Sequence, residues 1–279
     1  MSTNFTGRLS PSDGPHQFGP KSIYSKYVLR VSRLHGVVKY ALFQLVISLL
    51  VPSKYAIIPC AIVILCFTAN IIIHATTPCT GVNPFMENVV LGRTTSQVPF
   101  SDGSFGSEPA AQGLVVFNLG IQYNHPLGPL CPLGMEIADR FQKMNKDMLR
   151  RREELGLLSV NYWKGATADS ENMAVITYYF RNVESIHRFA HEPLHRATWD
   201  WYKSHNPTHI GIYHETFIVP EKAYESIYEN CSPIGLGRGS VKSVHGKSGN
   251  SWVNTLVSAD TPALKSQTAR LAGSLRKTA

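Results

Sequence analysis

Residues 114–123 read LVVFNLGIQY, and this stretch determines how the rest of the chain is interpreted. Most of its side chains are β-branched, aromatic or aliphatic, which is typical of a strand with buried residues. A cluster of turn residues, Pro126, Gly128 and Pro129, follows and ends the run. Asn118 interrupts the apolar part of the run. The stretch therefore predicts a strand that begins a folded domain and carries a polar side chain near its middle.

An amphipathic helix is predicted next, because apolar residues recur at helical spacing. They are Leu133, Ile137, Phe141, Met144, Met148 and Leu155. Two strands follow at residues 158–164 and 173–181, and the polar segment between them favours a hairpin.

Two short helices are predicted at residues 184–190 and 193–205, because proline is favoured at the first position of a helix and Pro193 opens the second one. Residues 209–219, HIGIYHETFIV, form the last predicted strand. The element order is β-α-β-β-α-α-β, which indicates a small α+β domain.

Residues 56–73 read AIIPCAIVILCFTANIII and contain no charged side chain. As a helix they would measure roughly 27 Å at about 1.5 Å per residue, close to the hydrocarbon thickness of a bilayer. A second apolar run, residues 40–51, lies just before them. We interpret residues 36–74 as a transmembrane helical hairpin, or as a single span preceded by an interfacial helix.

Basic residues crowd the approach to the first apolar run, which the positive-inside rule places in the cytoplasm. They are Lys21, Lys26, Arg30, Arg33 and Lys39. If both helices cross, the following domain is also cytoplasmic, which is our expectation for an endomembrane protein. If one helix crosses, the domain faces the lumen.

The formal net charge of +8 lies at the two ends of the chain. Residues 1–86 and 238–279 each carry +6, whereas residues 87–237 carry −4, so we expect no nucleic-acid partner. Composition divides the chain into five predicted parts. These are a basic arm at 1–35, the membrane segment at 36–74, a linker at 75–110, the α+β domain at 111–237 and a basic, disordered tail at 238–279.

Two motifs suggest chemistry that the neighbouring residues do not support, and the cysteines form no motif. HEPLH at residues 191–195 matches the zinc pattern H-E-x-x-H, but Pro193 breaks the continuous helix that this pattern needs, so we expect no metal site. GLGRG at residues 235–239 follows no βαβ unit, which makes it a weak phosphate-loop signal. The five cysteines show no paired spacing that predicts disulfides or zinc.

Strand alternation separates the polar residues of the last strand. His214 shares a face with Ile212 and Thr216, while Glu215 points the other way. A buried Asn118 or His214 side chain needs a hydrogen-bond partner. Each therefore either makes a structural hydrogen bond within the protein or contacts a ligand.

Three short motifs carry a resemblance to a known family. They are H-x-x-x-W at residues 195–199, GIYHET at residues 211–216, and Tyr228-x-Asn230 before a Pro-x-Gly-Leu-Gly segment. With them, residues 37–239 resemble the membrane-associated monooxygenase-like family of the antibiotic-biosynthesis monooxygenase superfamily. The resemblance implies a homodimeric α+β barrel of ferredoxin-like halves. It also implies that molecular oxygen is inserted into a lipophilic secondary metabolite, a terpenoid or polyketide.

The superfamily often places an asparagine on the first strand, which Asn118 matches. Phe189 and Trp199 hold the usual helix positions, so a complete Asn-Trp-His set does not transfer. We expect three catalytic residues and four that bind substrate. The catalytic set is Asn118, His195 and His214, and the substrate-binding set is Trp163, Tyr178, Trp199 and Glu215.

The sequence contains no motif for a redox cofactor. The resemblance therefore implies one of two arrangements. Either no cofactor is required, because an electron-rich substrate supplies the electrons, or bound haem supplies them. A non-catalytic module that binds apolar intermediates and a haem-dependent dehydratase or oxygenase are the alternatives.

Overall fold

The structure is a computed structural model that describes residues 4–17, 37–76, 85–167, 170–246 and 249–271. The chain divides into two compact units, Phe18–Val90, and Met1–Gln17 together with Leu91–Ala279. In chain order the described helices and strands are α1 (Val37–Leu50), α2 (Ile57–Thr76), β1 (Val90–Ser96), β2 (Leu114–Tyr123), α3 (Gly134–Arg150), β3 (Leu157–Thr167), β4 (Ser170–Phe180), α4 (Glu184–Ala190), α5 (Pro193–His205), β5 (Ile210–Val219), β6 (Tyr228–Cys231), β7 (Ser240–Gly246), β8 (Gly249–Asn254), β9 (Leu256–Ser258) and α6 (Gln267–Arg270).

The central sheet of the larger unit has the strand order β3-β4-β2-β5, and every neighbouring pair is antiparallel. With the connecting helices, this is the arrangement of a ferredoxin-like domain. The predicted α+β class and the predicted element order from β2 to β5 are therefore confirmed. β2 and β4 occupy the centre of the sheet, and β3 and β5 form its edges.

Helix α3 packs on one face of this sheet through a stripe of buried residues. Ile137, Phe141, Met144 and Met148 recur at intervals of three and four, as an amphipathic helix requires. They join buried side chains of β2, β4 and α4 in a single core, which Trp201 and Tyr202 of α5 also contact. The three helices therefore cover the same face.

Helices α4 and α5 are separate, as predicted. Pro193 starts α5, and Glu192 before it has an extended backbone with φ −73° and ψ 151°. The proline has no N–H to continue the preceding hydrogen-bond pattern, so α4 ends at Ala190.

The expected linker and the expected disordered tail are ordered where the structure describes them, which corrects both expectations. β1 lies within residues 75–110, and β7, β8, β9 and α6 lie within residues 238–279. β6, β1 and β9 form a second sheet, and β7 pairs with β8 as a hairpin. Leu256 and Val257 of β9 are almost fully buried.

These strands escaped prediction because many of their buried side chains are polar. Serine, threonine and asparagine are typical of loops. Their side chains are nevertheless tolerated in a buried strand when each polar group has a hydrogen-bond partner. The Asn254 side-chain amide donates to the Gly237 and Gly239 carbonyls over 3.2 and 2.7 Å, and Thr255 Oγ1 donates to the Leu236 carbonyl over 2.6 Å. Composition does not reveal such partners.

The beginning of the predicted basic arm also belongs to this structure. Backbone hydrogen bonds join Phe5 N to Gly106 O and Arg8 N to Leu256 O, each over 2.8 Å. The Phe5 ring is buried in a small apolar cluster. The other buried members are Phe105, Val253, Val257 and Leu264.

The smaller unit contains two apolar helices, α1 and α2, joined by a short 3-10 turn. The Cys60 thiol of α2 donates to the Gln44 side-chain oxygen of α1. Within the described ranges, Ser53–Thr76 is the one helical segment whose length and composition would suit a membrane span. Its 24 residues include a window of mean hydropathy 2.6 that has no buried part.

We predict that Phe5→Ala lowers the free energy of unfolding by about 3 kcal/mol, because it empties a buried aromatic site. Thr6→Ala, at the exposed neighbouring position, is the control and should change it little. Denaturant unfolding of the detergent-solubilised full chain measures both. Equal unfolding midpoints for the two variants would show that the N-terminal segment does not stabilise the fold.

Candidate functional site

A row of four polar side chains crosses the central sheet. Asn161 of β3 pairs with Thr177 of β4, Thr177 with Asn118 of β2, and Asn118 with Glu215 of β5. Directly paired residues project from the same face of a sheet, so these four residues, the polar row, share one face. Tyr178, which follows Thr177, lies in the helix-covered core. Because neighbours along a strand alternate, the polar row lies on the other face, here named the open face.

A directional chain of hydrogen bonds runs along the open face. The Trp163 indole Nε1–H donates to Thr177 Oγ1 over 3.0 Å, and the Thr177 hydroxyl donates to Asn118 Oδ1 over 2.8 Å. An indole N–H is only a donor, so Thr177 must accept there and direct its own hydrogen to Asn118. The acceptor at Asn118 is therefore the amide oxygen. This contact fixes the orientation of the Asn118 side chain.

The Asn118 amide group is consequently presented to a ligand through its nitrogen. Asn118 is half-buried, and no acceptor in the described part of the chain binds its Nδ2. Two N–H donors held in a fixed direction, at a position partly shielded from solvent, can stabilise negative charge on an oxygen atom. This is the chemistry that an oxygen-handling site needs.

A second row on the open face, two residues along each strand, is apolar. Trp163, Val175, Gly120 and Tyr213 are directly paired across the four strands and form the aromatic trough. Trp163 and Tyr213 stand at its two ends and are 40% and 37% exposed. A Cβ at Gly120 would lie 2.1 Å from the Tyr213 ring, so the ring needs glycine beneath it. The trough therefore offers an apolar surface made of the Trp163 ring, Val175 and the Tyr213 ring, which lies over Gly120.

The β5 end of the open face carries a negative charge. Glu215 is exposed and lies directly across from Asn118. Burial, and in addition the Glu215 carboxylate, raise the pKa of Tyr213. Tyr213 therefore remains a neutral phenol at pH 7, and its hydroxyl donates to Met173 Sδ over 3.5 Å.

The other side of the polar row is closed by the GLGRG segment. Asn161 Oδ1 accepts from the Gly235 N–H over 2.9 Å, and Asn161 Nδ2 donates to the Gly235 carbonyl over 3.0 Å. Ser159 Oγ donates to the same carbonyl over 2.7 Å. The Asn161 side chain therefore occupies the Gly235 N–H, a donor that a phosphate loop would present to its ligand.

The remaining predicted site residues lie on the helix-covered side. Tyr178 is buried beside Phe180, and burial raises the pKa of its phenol. His214 is paired with Leu119, on the face opposite to Asn118. The structure thus brings Asn118, Trp163 and Glu215 together but separates them from His214 and Tyr178.

Two further predicted residues are on α5, which belongs to the helical layer. The His195 ring contacts Phe189 edge-on at 5.6 Å between centroids, and its Nδ1 lies 2.9 Å from the Ala190 carbonyl. Trp199 is exposed and stacks on Tyr202. Neither His195 nor Trp199 joins the polar row.

The HEPLH segment has a structural role in the fold. Glu192 accepts two hydrogen bonds of 2.6 Å from the Arg151 guanidinium, which ties it to the end of α3. His191 Nδ1 contacts the His187 carbonyl at 2.7 Å. Across the described ranges, no group of three or more histidine, cysteine or acidic side chains is arranged to hold a metal ion.

Five residues of the two open-face rows were not among the predicted site residues: Gly120, Asn161, Val175, Thr177 and Tyr213. Thr177, which links Trp163 to Asn118, is an ordinary strand residue whose importance depends on register with β2. Gly120 carried a usable signal, because a glycine inside a strand often marks a close approach by another group.

The sequence is similar to a known family and, over most of its length, to a named relative. Residues 114–236 match the family model described as monooxygenase af470-like. Monooxygenase af470 of Aspergillus fumigatus is 49% identical over 265 residues, which cover 94% of this chain and 96% of that protein.

Solved structures match smaller parts of the chain. An aldoxime dehydratase, OxdRE in complex with butyraldoxime, is 13% identical with a TM-score of 0.40, and the match covers 52% of this chain and 39% of that one. SnoaB of Streptomyces nogalater, a cofactor-independent oxygenase, is 13% identical with a TM-score of 0.27. That match covers 38% of this chain and 91% of SnoaB.

We predict that Thr177→Val lowers the free energy of unfolding by about 1–3 kcal/mol, because it leaves the Trp163 N–H and the Asn118 carbonyl without their shared partner. Thr177→Ser keeps the hydroxyl and should recover most of this loss. Denaturant unfolding compares the two variants. Equal stability of the valine and serine variants would refute the hydrogen-bond chain.

Proposed function

The chain belongs to the monooxygenase af470-like family, and from this premise we propose that it is a membrane-anchored monooxygenase that inserts oxygen into a lipophilic small molecule. The activity is supported by 49% identity with a relative named as a monooxygenase. The observation that supports a reaction centre is the hydrogen-bond chain from Trp163 through Thr177 to Asn118.

The aromatic trough supports the proposed substrate class. Trp163 and Tyr213 expose ring surface on either side of Val175, with the Tyr213 ring lying over Gly120, which suits a flat, apolar ring system. A polyketide or terpenoid with an activated methylene group matches this surface. Asn118 adjoins the trough and would orient an oxygen atom of the substrate.

The reaction balances without an external reductant. The substrate methylene loses two hydrogens and gains one oxygen atom as a carbonyl, while the second atom of O₂ leaves as water. The four electrons that reduce O₂ come from the oxidised carbon. Glu215, across from Asn118, supplies a carboxylate to accept the first proton, and the Asn118 N–H groups stabilise the resulting substrate oxyanion.

A haem-dependent oxygenase or dehydratase is the second candidate, and one observation favours it. The contact of His195 Nδ1 with the Ala190 carbonyl leaves Nε2 available, so His195 would be the residue that holds a haem iron. Bound haem would supply redox equivalents and an iron centre. A Soret band in the purified protein that His195→Ala abolishes would favour this candidate.

Helices α1 and α2 would anchor the enzyme in the membrane as a hairpin. The side chains of α2 are largely exposed apolar groups, including Ile64 and Leu65, which a bilayer would cover. Pairing Gln44 with Cys60 would satisfy a polar side chain inside the lipid. Both ends of a hairpin lie on one side, so the catalytic domain would face the cytoplasm of an endomembrane.

A homodimer is proposed on the basis of the edge strand β5. β5 pairs with β2 in the central sheet, and its residues Phe217 and Ile218 are exposed on opposite faces. An exposed apolar edge favours association with a second copy of the sheet.

For the reaction, we predict that Asn118→Ala lowers kcat/KM for anthrone, a flat probe with an activated methylene, by about a hundredfold. Oxygen uptake and incorporation of labelled oxygen into anthraquinone measure the rate above the spontaneous background. Glu221→Gln, an exposed substitution outside the site, is the control. Wild-type rates in Asn118→Ala together with lost activity in His214→Ala would move the site to the helix-covered side. Tight binding of anthrone without oxygen uptake by the unmodified protein would favour the non-catalytic binding module.

For the anchor, we predict that Ile64→Arg releases a large fraction of the protein from membranes at alkaline pH. An arginine in the middle of a spanning helix disfavours insertion by about 3 kcal/mol. Ile64→Leu should remain in the membrane pellet. Quantitative blotting of pellet and supernatant checks both, and release of the unmodified protein would contradict the anchor.

For the dimer, we predict that Ile218→Lys shifts the detergent-solubilised protein from dimer to monomer, because a charge would be buried at the edge of β5. Light scattering coupled to size exclusion gives the protein mass, with Thr216→Ser as the control. A monomeric unmodified protein would refute the proposal.

A further inference from the structure

The loop that follows β2 exposes three large apolar side chains at one end of the central sheet. Leu127 is 59% exposed, Leu130 71% and Met135 62%. Among the described residues of the larger unit, no large apolar side chain is more exposed than Leu130. Single exposed apolar residues are common on protein surfaces, whereas a group of them indicates a contact with another apolar phase. These three residues are here named the apolar tip.

Backbone geometry joins the residues of the apolar tip into one patch. Leu127 precedes the 3-10 helix Gly128–Leu130, and the Leu130 N–H donates to the Leu127 carbonyl over 3.1 Å. Side chains three residues apart eclipse each other in a 3-10 turn, so the two leucines project in the same direction. A Cβ at Gly134 would lie 2.4 Å from the Pro129 carbonyl oxygen. The first turn of α3, which carries Met135, therefore rests directly on the 3-10 helix.

The backbone of this loop is prepared for an environment without water. Every position from 126 to 132 is either a proline, which has no N–H, or a residue whose N–H is bonded inside the loop. Leu127 N donates to His125 Nδ1 over 3.1 Å, and Gly128 N donates to the His125 carbonyl over 2.9 Å. Cys131 N donates to the Gly128 carbonyl over 3.0 Å. Lipid hydrocarbon offers no hydrogen-bond partner, so only a backbone with satisfied donors enters it at low cost.

The loop is also fixed from inside and free of charge. Cys131 and Leu133 pack in the core that α3 forms with the sheet, so the loop is held while its other leucines face outward. Residues 124–135 contain no aspartate, glutamate, lysine or arginine. The first acid after them, Glu136, accepts from the Arg140 guanidinium over 2.9 Å. No ionised side chain of the loop therefore has to leave water when the apolar tip is covered.

We infer that the apolar tip inserts into the surface of a lipid bilayer and holds this end of the central sheet against it. The same chain supplies the bilayer, because α2 has the length and composition of a membrane span. Between Thr76 at the end of α2 and Val90 at the start of β1, the chain extends at most about 50 Å. The larger unit therefore stays near any membrane that α2 spans.

The size of the apolar tip favours lipid over a protein partner. Three side chains expose far less surface than the roughly 800 Å² that each partner contributes to a stable protein interface. A bilayer needs no complementary shape, and apolar groups that enter it are stabilised individually. As a route for substrate, from the bilayer to the aromatic trough on the strand that leads into this loop, the inference rests on the proposed oxygenase function. The lipid contact itself is tested without activity.

The test uses the full-length protein reconstituted in phosphatidylcholine vesicles, with the photoreactive amino acid p-benzoylphenylalanine at position 127. Irradiation should attach phosphatidylcholine to this position, and mass spectrometry of the peptides measures the adduct. Leu130→Asp should lower the adduct at position 127 by about tenfold, because a charge replaces a leucine that contacts hydrocarbon. Leu149→Asp is the matched control and should leave the adduct unchanged. Leu149 is also an exposed leucine, but it lies about 21 Å along α3 from Met135.

A second measurement uses the unmodified protein and remains informative if a variant fails to fold. A carbene-generating diazirine that dissolves in the bilayer should label the apolar tip and α2 but not Leu149. Label in α2 without label at the tip, equal labelling of Leu149, or adducts at position 127 to a second copy of the protein instead of lipid would each overturn the inference. So would a lipid adduct that Leu130→Asp leaves unchanged. A labelled tip without anthrone oxidation would retain the lipid contact and remove the oxygenase proposal.

Discussion

The register of β2 is the constraint on which the remaining structure depends. β2 pairs with β4 from Val115 to Gln122 and with β5 along its whole length, without a slip. A shift of one residue would turn Asn118 into the helix-covered core and place Phe117 on the open face. The buried side chains of β2 on the helix side oppose such a shift. Hydrophobic packing on one face of the sheet therefore positions the polar groups on the other face.

The C-terminal strands take part in closing the open face. The C-terminal strands hold the 3-10 helix at residues 235–238, and Asn161 connects that helix to the polar row. Arg152 strengthens this connection, because it donates to the Leu158 and Ser240 carbonyls and lies over the Trp252 ring at 5.2 Å. Burial lowers the pKa of Arg152 to about 10, but the residue remains charged at neutral pH. The site therefore depends on segments that lie outside the α+β domain predicted at residues 111–237.

The fold of the central domain was predictable from the sequence because its signals are local. The periodic apolar residues of α3 and the proline that starts α5 each determine the secondary structure of only a few neighbouring residues. The site was only partly predictable. Asn118 and Glu215 stand out as polar residues in strands, and alternation separates Glu215 from His214, but only the pairing of β2 with β5 shows that Asn118 shares the face of Glu215. Strand β1, whose Thr94, Thr95 and Ser96 are buried, pairs with β9 far along the chain, which composition does not encode.

The central claim is that the open face, with the Asn118 amide at its centre, is where substrate binds. A crystal structure of the protein with anthraquinone, the expected product of anthrone oxidation, tests this most directly. The account predicts that the ring system lies in the trough between Trp163 and Tyr213, with a carbonyl oxygen about 3 Å from Asn118 Nδ2. A product bound among the helices beside His214 and His195, with the open face vacant, would contradict it.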